Sequence, residues 1–269
     1  MHWKQRLKQF LFVRKLLRYK TWYLQDCKHL PRVEIETFGR CNRACSYCPV
    51  STNEKRTGRM SRALFEKIIH DLAAIDFSGT LSFHFYNEPL LDKRLPELST
   101  MARRALPKAR FKLITNGDLL TREKLQELFD VGFDQISISL HDEEIEKKMM
   151  ALVEELSEQD QQRTFLNTFF RPDTVLSNRG GAVDIPDASK SQAFPEGCAQ
   201  AHNSLIIDYR GKVALCCNDF AMPHDMGDCN TMHVREILQK RAPLTKAIYF
   251  GRYNLEICKN CVELSRNSP

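Results

Sequence analysis

Apolar and polar positions change period along the chain. Over residues 1–30, Trp3, Leu7, Phe10 and Leu17 fall close to one stripe, which predicts a basic amphipathic helix ended by Pro31. Beyond it, short β-branched and aromatic runs alternate with segments of helical period. Strands are expected at RVEIETF (32–38), LSFHFY (81–86), FKLIT (111–115), FDQISISL (133–140) and TFLNTFF (164–170). Helices are expected over 61–75 with Ser61 as N-cap, from the second strand to about Ala105, over 121–132 between Thr121 and Gly132, and over 142–157.

This alternation implies parallel βαβ units and an α/β fold. Five strands are too few for a closed eight-unit barrel, so a partial, open TIM-like (β/α) barrel is expected, its site at the C-terminal strand ends. Near residue 175 the rhythm gives way to a Gly-, Pro- and Ser-rich connection. LIIDYRGKVAL (205–215) then predicts a hairpin turning at Arg210-Gly211, and VREILQKRAPLTKAIYF one more helical region. The chain thus divides into an N-terminal helix (1–31), a barrel (32–175) and a connection with a small second domain (176–269).

A hydrophobic share of 42% and a charged share of 28% exclude disorder and a membrane-embedded chain. No run approaches the roughly 20 apolar residues of a transmembrane helix. The longest apolar run near the start, Phe10 to Val13, is too short for an export signal, which predicts a cytoplasmic protein. The net charge of +6 is spread without a Lys/Arg tract, which argues against a nucleic-acid partner. Lys4, Arg6, Lys8, Arg14, Lys15 and Arg18 leave two readings of residues 1–28: peripheral contact with an anionic membrane, or packing on the open end of the barrel.

Ten cysteines carry the chemistry. In a reduced compartment, close Cys spacing marks metal or catalytic sites rather than disulfides. Cys41, Cys45 and Cys48 form C-x3-C-x2-C in the loop after the first strand. Three thiolates there can hold three irons of a [4Fe-4S] cubane and leave one iron open. A zinc site would need a fourth ligand, such as Cys27 or a His. Downstream, Cys198 and Cys216 flank the hairpin and Cys258-x2-Cys261 follows, enough thiols to enclose a metal or a zinc ribbon completely.

In these residues the chain resembles the radical S-adenosylmethionine (SAM) superfamily, whose signature is this C-x3-C-x2-C at this place. The resemblance implies SAM chelated at the open iron and reductive cleavage to a 5′-deoxyadenosyl radical that abstracts a hydrogen atom. Tyr47 is similar to the family residue near the adenine. Tyr86-Asn87-Glu88-Pro89 resembles the GGE segment that receives the SAM amino group, although both glycines are missing. Asn116 and Ser139 stand where the family places polar contacts to the ribose or methionine part.

The C-x12-G-x4-C pattern with its terminal C-x2-C is similar to the SPASM/twitch extension, which implies one auxiliary [4Fe-4S] cluster on Cys198, Cys216, Cys258 and Cys261. Cys217 is expected to point away along its strand, and Cys27 and Cys229 are expected not to be ligands. A fully ligated auxiliary cluster can accept an electron, which suits conversion of an alcohol to a ketone. Among twitch enzymes the likeness is to the 2-deoxy-scyllo-inosamine dehydrogenases, which implies a small-molecule sugar, polyol or aminocyclitol substrate and an electron donor such as flavodoxin or ferredoxin. Arg171 and Arg179 leave the last barrel strand and its connection as candidates for the substrate hydroxyls, Arg179 being the better positional match. His84 and His141 are candidate bases.

Two other readings remain at this point. One is a peptide-modifying maturase that forms thioethers or epimerises residues, although only 31 residues precede the first strand for a recognition domain. The other is a non-catalytic zinc-binding protein.

Overall fold

The computed structural model describes residues 30–52, 56–171, 174–184, 188–192, 197–252 and 254–266. The helix expected over 1–30 therefore lies outside the described residues, apart from Leu30, and so does Cys27.

β1 (Arg32–Ile35), β2 (Thr80–Ser82), β3 (Arg110–Thr115), β4 (Gln135–Leu140) and β5 (Thr164–Thr168) pair in parallel, as the alternation predicts. Between them run α1 (Arg62–Ala73), α2 (Leu95–Ala105), α3 (Arg122–Asp130), α4 (Glu143–Glu154) and the short α5 (Glu158–Gln162). The hydroxyls of Ser61 and Thr121 cap α1 and α3 by accepting from the amides of Leu64 and Lys124. The helix expected over 142–157 breaks because Ser157 caps a new helix, its hydroxyl accepting from the Asp160 amide at 3.2 Å.

Strand two is shorter than its apolar run. Past Ser82 the backbone turns to side chains: the Phe85 amide donates to Asn87 Oδ1 at 2.9 Å and the Tyr86 amide to Glu36 Oε1 at 3.2 Å. Beyond the connection come β6 (Val175–Ser177), β7 (Ala188–Gln192), α6 (Gln200–Asn203), β8 (Ser204–Ile207), β9 (Val213–Ala214), α7 (Val234–Tyr249), α8 (Glu256–Lys259) and β10 (Val262–Arg266).

The hairpin falls where expected, with Gly211 at φ 86° in its turn. Its placement adds something. β8 pairs in parallel with β1, Glu34 opposite Ile206, so the sheet order is β5-β4-β3-β2-β1-β8-β9 with a sixth parallel strand. The hairpin motif alone carries no signal for a parallel partner some 170 residues earlier. The connection read as irregular also holds order, since β6 and β7 flank β10 in a second, antiparallel sheet.

Each barrel strand has two faces. Val33, Ile35, Leu81, Phe83, Phe111, Leu113, Ile136, Ile138, Leu205 and Ile207 are fully buried beneath the helices. Phe83 anchors this layer, its ring centroid 6.1 Å from those of Phe65 and Phe111 and 5.5 Å from that of Phe133. The alternate positions are mostly polar and share the concave face: Arg32, Glu34, Ser82, Lys112, Ser137, Ser139, Asn167 and Ser204, with Ile114, Phe165 and Ile206 among them. A parallel sheet that only packs would be apolar on both faces. A largely polar face suits the binding of a polar ligand.

Candidate active site

The first thiol loop springs from the end of β1. Its root closes through the Gly39 amide donating to Gly58 O at 2.9 Å and the Met60 amide to Thr37 O at 2.9 Å. Arg43 fixes it from above, its guanidinium reaching Asp118 after β3 (2.8 and 2.5 Å) and Asp142 after β4 (2.7 Å). The charges of Cys45 and Cys48 act on Cys41, and burial pushes its thiol up to about 11 and raises that of Cys45. Such thiols stay protonated at neutral pH unless a metal displaces the proton. Among the described residues, no three His, Cys, Asp or Glu side chains converge as ligands of a single ion. An all-thiol loop with no fourth ligand among the described residues fits a polynuclear iron–sulfur cluster better than tetrahedral zinc.

Tyr47 sits at the loop's outer edge. Its ring stacks near His141 (6.0 Å) and Phe169 (6.4 Å), and its hydroxyl hydrogen-bonds His141 Nδ1. Burial and the Arg43 charge depress the His141 imidazole to about 4. Tyr47, His141 and Phe170 line one opening beside Cys45.

Glu88 is 2% exposed, and its carboxylate is already engaged. It accepts from the Leu90 amide (3.0 Å), the Thr115 hydroxyl (2.7 Å) and the Asn116 amide (2.8 Å), while burial raises its pKa. It pins the β2 loop to the end of β3 and keeps acceptor capacity at Oε2, which takes only the Asn116 amide. Asn116 faces the thiol loop, its Nδ2 donating to Asn42 Oδ1 at 2.8 Å and lying 3.9 Å from Cys41 Sγ. Asn87 is spent on its own turn, and Ser139 stands half-buried on the concave face of β4 opposite Asn167.

The second thiol group gathers as expected. Cys198, Cys216, Cys258 and Cys261 line one apolar cavity with Ile248 and Ile257. Burial raises Cys216 and pushes Cys258 up to about 11. The Gln200 amide donates to Cys198 Sγ and Asn218 Nδ2 to Cys261 Sγ, each at 3.4 Å. A wall rich in thiols, with no carboxylate among its lining residues, suits an enclosed iron–sulfur cluster. Cys217 departs from expectation, because it lines the same cavity and feels the charges of Glu34 and Arg179. The strand ends at Ala214, and Asp219 then folds the chain back by accepting from the Leu215 amide at 2.9 Å, so strand alternation no longer applies. Cys229 is buried in the main core.

Arg179 lies beside the four-thiol cavity, next to Asn218 on its wall. It takes φ 52°, a left-handed conformation rare outside glycine, followed by Gly180 (65°) and Gly181 (95°). A Cβ on Gly180 would meet Ile257 at 2.4 Å, so this turn packs directly on α8. Asn178 sews it there, donating to Asn260 O at 2.6 Å and accepting from the Val262 amide at 3.0 Å. The Arg179 guanidinium lies 5.9 Å from the Tyr86 ring centre and 3.5 Å from Asn218 Oδ1. Arg171 instead turns to Glu146 on α4 (2.8 and 3.0 Å), with its side chain 54% exposed.

Two further contacts carry no sequence signal. Tyr86 donates its hydroxyl to Cys217 O at 3.0 Å. Arg56, after the thiol loop, grips Glu36 (2.8 and 2.7 Å) among the rings of Phe85, Tyr209 and Phe220. Their partners lie far off in sequence, so only folding brings them together.

A three-thiol loop at the mouth of a partial barrel, backed by a four-thiol cavity, defines a SAM-dependent radical enzyme with an auxiliary iron–sulfur domain. The chain belongs to the radical SAM superfamily: that family's model matches residues 35–155, and the SPASM iron–sulfur cluster-binding domain matches residues 198–262. It is 35% identical over 239 residues to the S-adenosyl-L-methionine-dependent 2-deoxy-scyllo-inosamine dehydrogenase of Niallia circulans, covering 87% of this chain and 93% of that one. The crystal structure of BtrN in complex with AdoMet and 2-DOIA superposes with a TM-score of 0.76 at 32% identity, covering 86% of this chain and 92% of that one. The PqqA peptide cyclase of Bradyrhizobium diazoefficiens is 36% identical over only 110 residues, 40% of this chain and 27% of that one.

Proposed function

We propose that this enzyme oxidises a secondary alcohol of a small sugar, polyol or aminocyclitol to a ketone. The carbinol carbon loses a hydrogen atom, its hydroxyl a proton, and the resulting radical one electron. When bound, the SAM-ligated cluster supplies the abstracting 5′-deoxyadenosyl radical and the auxiliary cluster an acceptor for the electron.

Cys41, Cys45 and Cys48 would hold the first cluster and Cys198, Cys216, Cys258 and Cys261 the second. Tyr47, backed by His141 and Phe169, offers an aromatic face to the adenine, and Asn116, Ser139 and the backbone around Asn87-Glu88 offer polar groups to the rest of SAM. Arg179 presents a cation to the substrate oxygens. His84 presents a buried Nδ1 without a hydrogen-bond partner among the described residues, and burial keeps its imidazole below its ordinary pKa, so it is neutral and able to take the hydroxyl proton. The division at about residue 175, a cytoplasmic setting, flavodoxin or ferredoxin as donor and a membrane contact through residues 1–28 belong to the same reading.

The observation that supports it most is the three-thiol loop at the C-terminal end of β1 together with the separate cavity lined by Cys198, Cys216, Cys258 and Cys261. An anaerobic assay with reductant, SAM and a panel of polyols tests it. One ketone per 5′-deoxyadenosine supports the reading, and a cross-linked or epimerised peptide in place of a ketone refutes it.

A further inference from the structure

Arg241 on α7 is 3% exposed, and among the described residues no carboxylate pairs with it. Its guanidinium donates instead to three backbone carbonyls: Ser204 O at 2.5 Å, Ala201 O at 2.8 Å and Leu215 O at 3.2 Å. Its Nε is buried without a hydrogen-bond partner. Burial lowers its pKa to about 10, so it stays charged at neutral pH, and the one charge acting on it is that of Cys216. Ala201 and Leu215 line the four-thiol cavity, and Leu215 directly precedes Cys216. Arg241 is therefore bolted to the back of that cavity's wall.

Three carbonyls satisfy its donors but do not neutralise it. A cation taken out of water without an anion is costly, so a buried Arg marks a place where negative charge belongs. Four thiolates outweigh the charge of a [4Fe-4S] core, and each added electron makes the ligated cluster more negative. The other charges around the cavity leave Arg241 distinct. Asp219 opposes it, acting on Cys216 and Cys258, and accepts from the amides of Leu215 (2.9 Å) and Met222 (3.1 Å). On Cys217, Glu34 opposes Arg179 and Arg32. Burial and the Arg241 charge hold His202 below its ordinary pKa, so it adds no second cation. Beside the three-thiol loop the arrangement differs, since Arg43 is paired with Asp118 and Asp142.

We propose that Arg241 tunes the auxiliary cluster, raising its reduction potential so that it can take the electron left on the substrate radical. This deepens the functional reading above and rests on the four-thiol cavity holding an iron–sulfur cluster. Net charge and burial are among the features that set such potentials. A fixed cation behind the wall favours the reduced, more negative form, and the low dielectric of its surroundings strengthens the effect. Arg241 acts through the cluster's charge and is a positioning residue for the electron.

The test is an anaerobic redox titration of reconstituted full-length enzyme followed by electron paramagnetic resonance. The auxiliary signal is assigned by its absence from Cys258→Ala/Cys261→Ala. Arg241→Gln should shift the auxiliary couple toward its oxidised form about tenfold or more, a fall of about 59 mV for one electron. Arg241→Lys keeps the charge and should stay within about threefold of wild type. The potential of the first cluster should not move in either variant. Equal auxiliary potentials in wild type and Arg241→Gln, or equal shifts of both clusters, overturn the proposal. Should Arg241→Gln fail to retain iron, Arg241→Lys decides: a couple shifted about tenfold despite the kept charge overturns it, and an unshifted one supports it. Iron and sulfide are measured on the same samples. If wild type holds no more of either than Cys258→Ala/Cys261→Ala, the reading of the four-thiol cavity falls, whereas a loaded cavity with unmoved potentials sinks this inference alone.

Discussion

The hydroxyl of Tyr86 donates to the backbone carbonyl of Cys217 across 3.0 Å, joining the loop that follows β2 to the wall of the four-thiol cavity. Tyr86 occupies a position where the superfamily motif carries glycine. Its ring also meets Phe220 edge-on at 4.9 Å, so one side chain sets the spacing between the two proposed cluster sites.

Replacing Tyr86 by Phe removes the tether and keeps the ring. A loss of about 1 kcal/mol in stability is expected from one hydrogen bond. The more telling result is the product ratio: 5′-deoxyadenosine should exceed ketone, because abstraction continues while electron removal is impaired. Chromatography of both products from one reaction checks this, and an unchanged ratio would show that the tether has no part in turnover.

Arg43 ties the first thiol loop to Asp118 and Asp142. Arg43→Met should cost about 1–2 kcal/mol, since three charge-assisted bonds are lost from a partly screened site. Iron bound after reconstitution should fall toward half, with the four-thiol site intact. Iron and sulfide analysis beside urea melts reads both effects.

Glu88→Gln turns an acceptor into a donor where Thr115 and the amides of Leu90 and Asn116 all donate. Leaving one buried donor unmatched is expected to cost about 2 kcal/mol. Differential scanning calorimetry should show a lower Tm, and an equal Tm would mean that the carboxylate is not the pin described above.

The depressed His141 imidazole gives a pH signature. Its folded pKa of about 4 lies below the ordinary 6.5, so the unfolded chain binds more protons between those values. Stability from this group is complete above pH 6.5, falls as the pH drops through that window, and is lost below about 4. Urea melts of His141→Asn between pH 5.5 and 7.5 should show a flatter dependence than wild type.

The sequence carried the barrel well where period and caps agree. β1 to β5 and the caps at Ser61 and Thr121 lie where alternation and side-chain chemistry place them. The two Cys spacings were legible because cluster ligation leaves a local pattern. The pairing of β8 with β1 was not, since a parallel register is fixed by tertiary packing and has no local mark. The pinning role of Glu88 was not legible either, because two of its three donors, Thr115 and Asn116, stand at the distant end of β3. Cys217 was misread because alternation was carried past the end of β9 at Ala214.

The most direct test concerns the three-thiol loop. Protein with Cys41, Cys45 and Cys48 all changed to Ala, reconstituted and reduced anaerobically, is assayed for 5′-deoxyadenosine beside a Cys258→Ala/Cys261→Ala variant. The loop variant should form none, and the second should still cleave SAM but yield little ketone. Reductive SAM cleavage by the loop variant would contradict the assignment of that loop as the seat of the reaction.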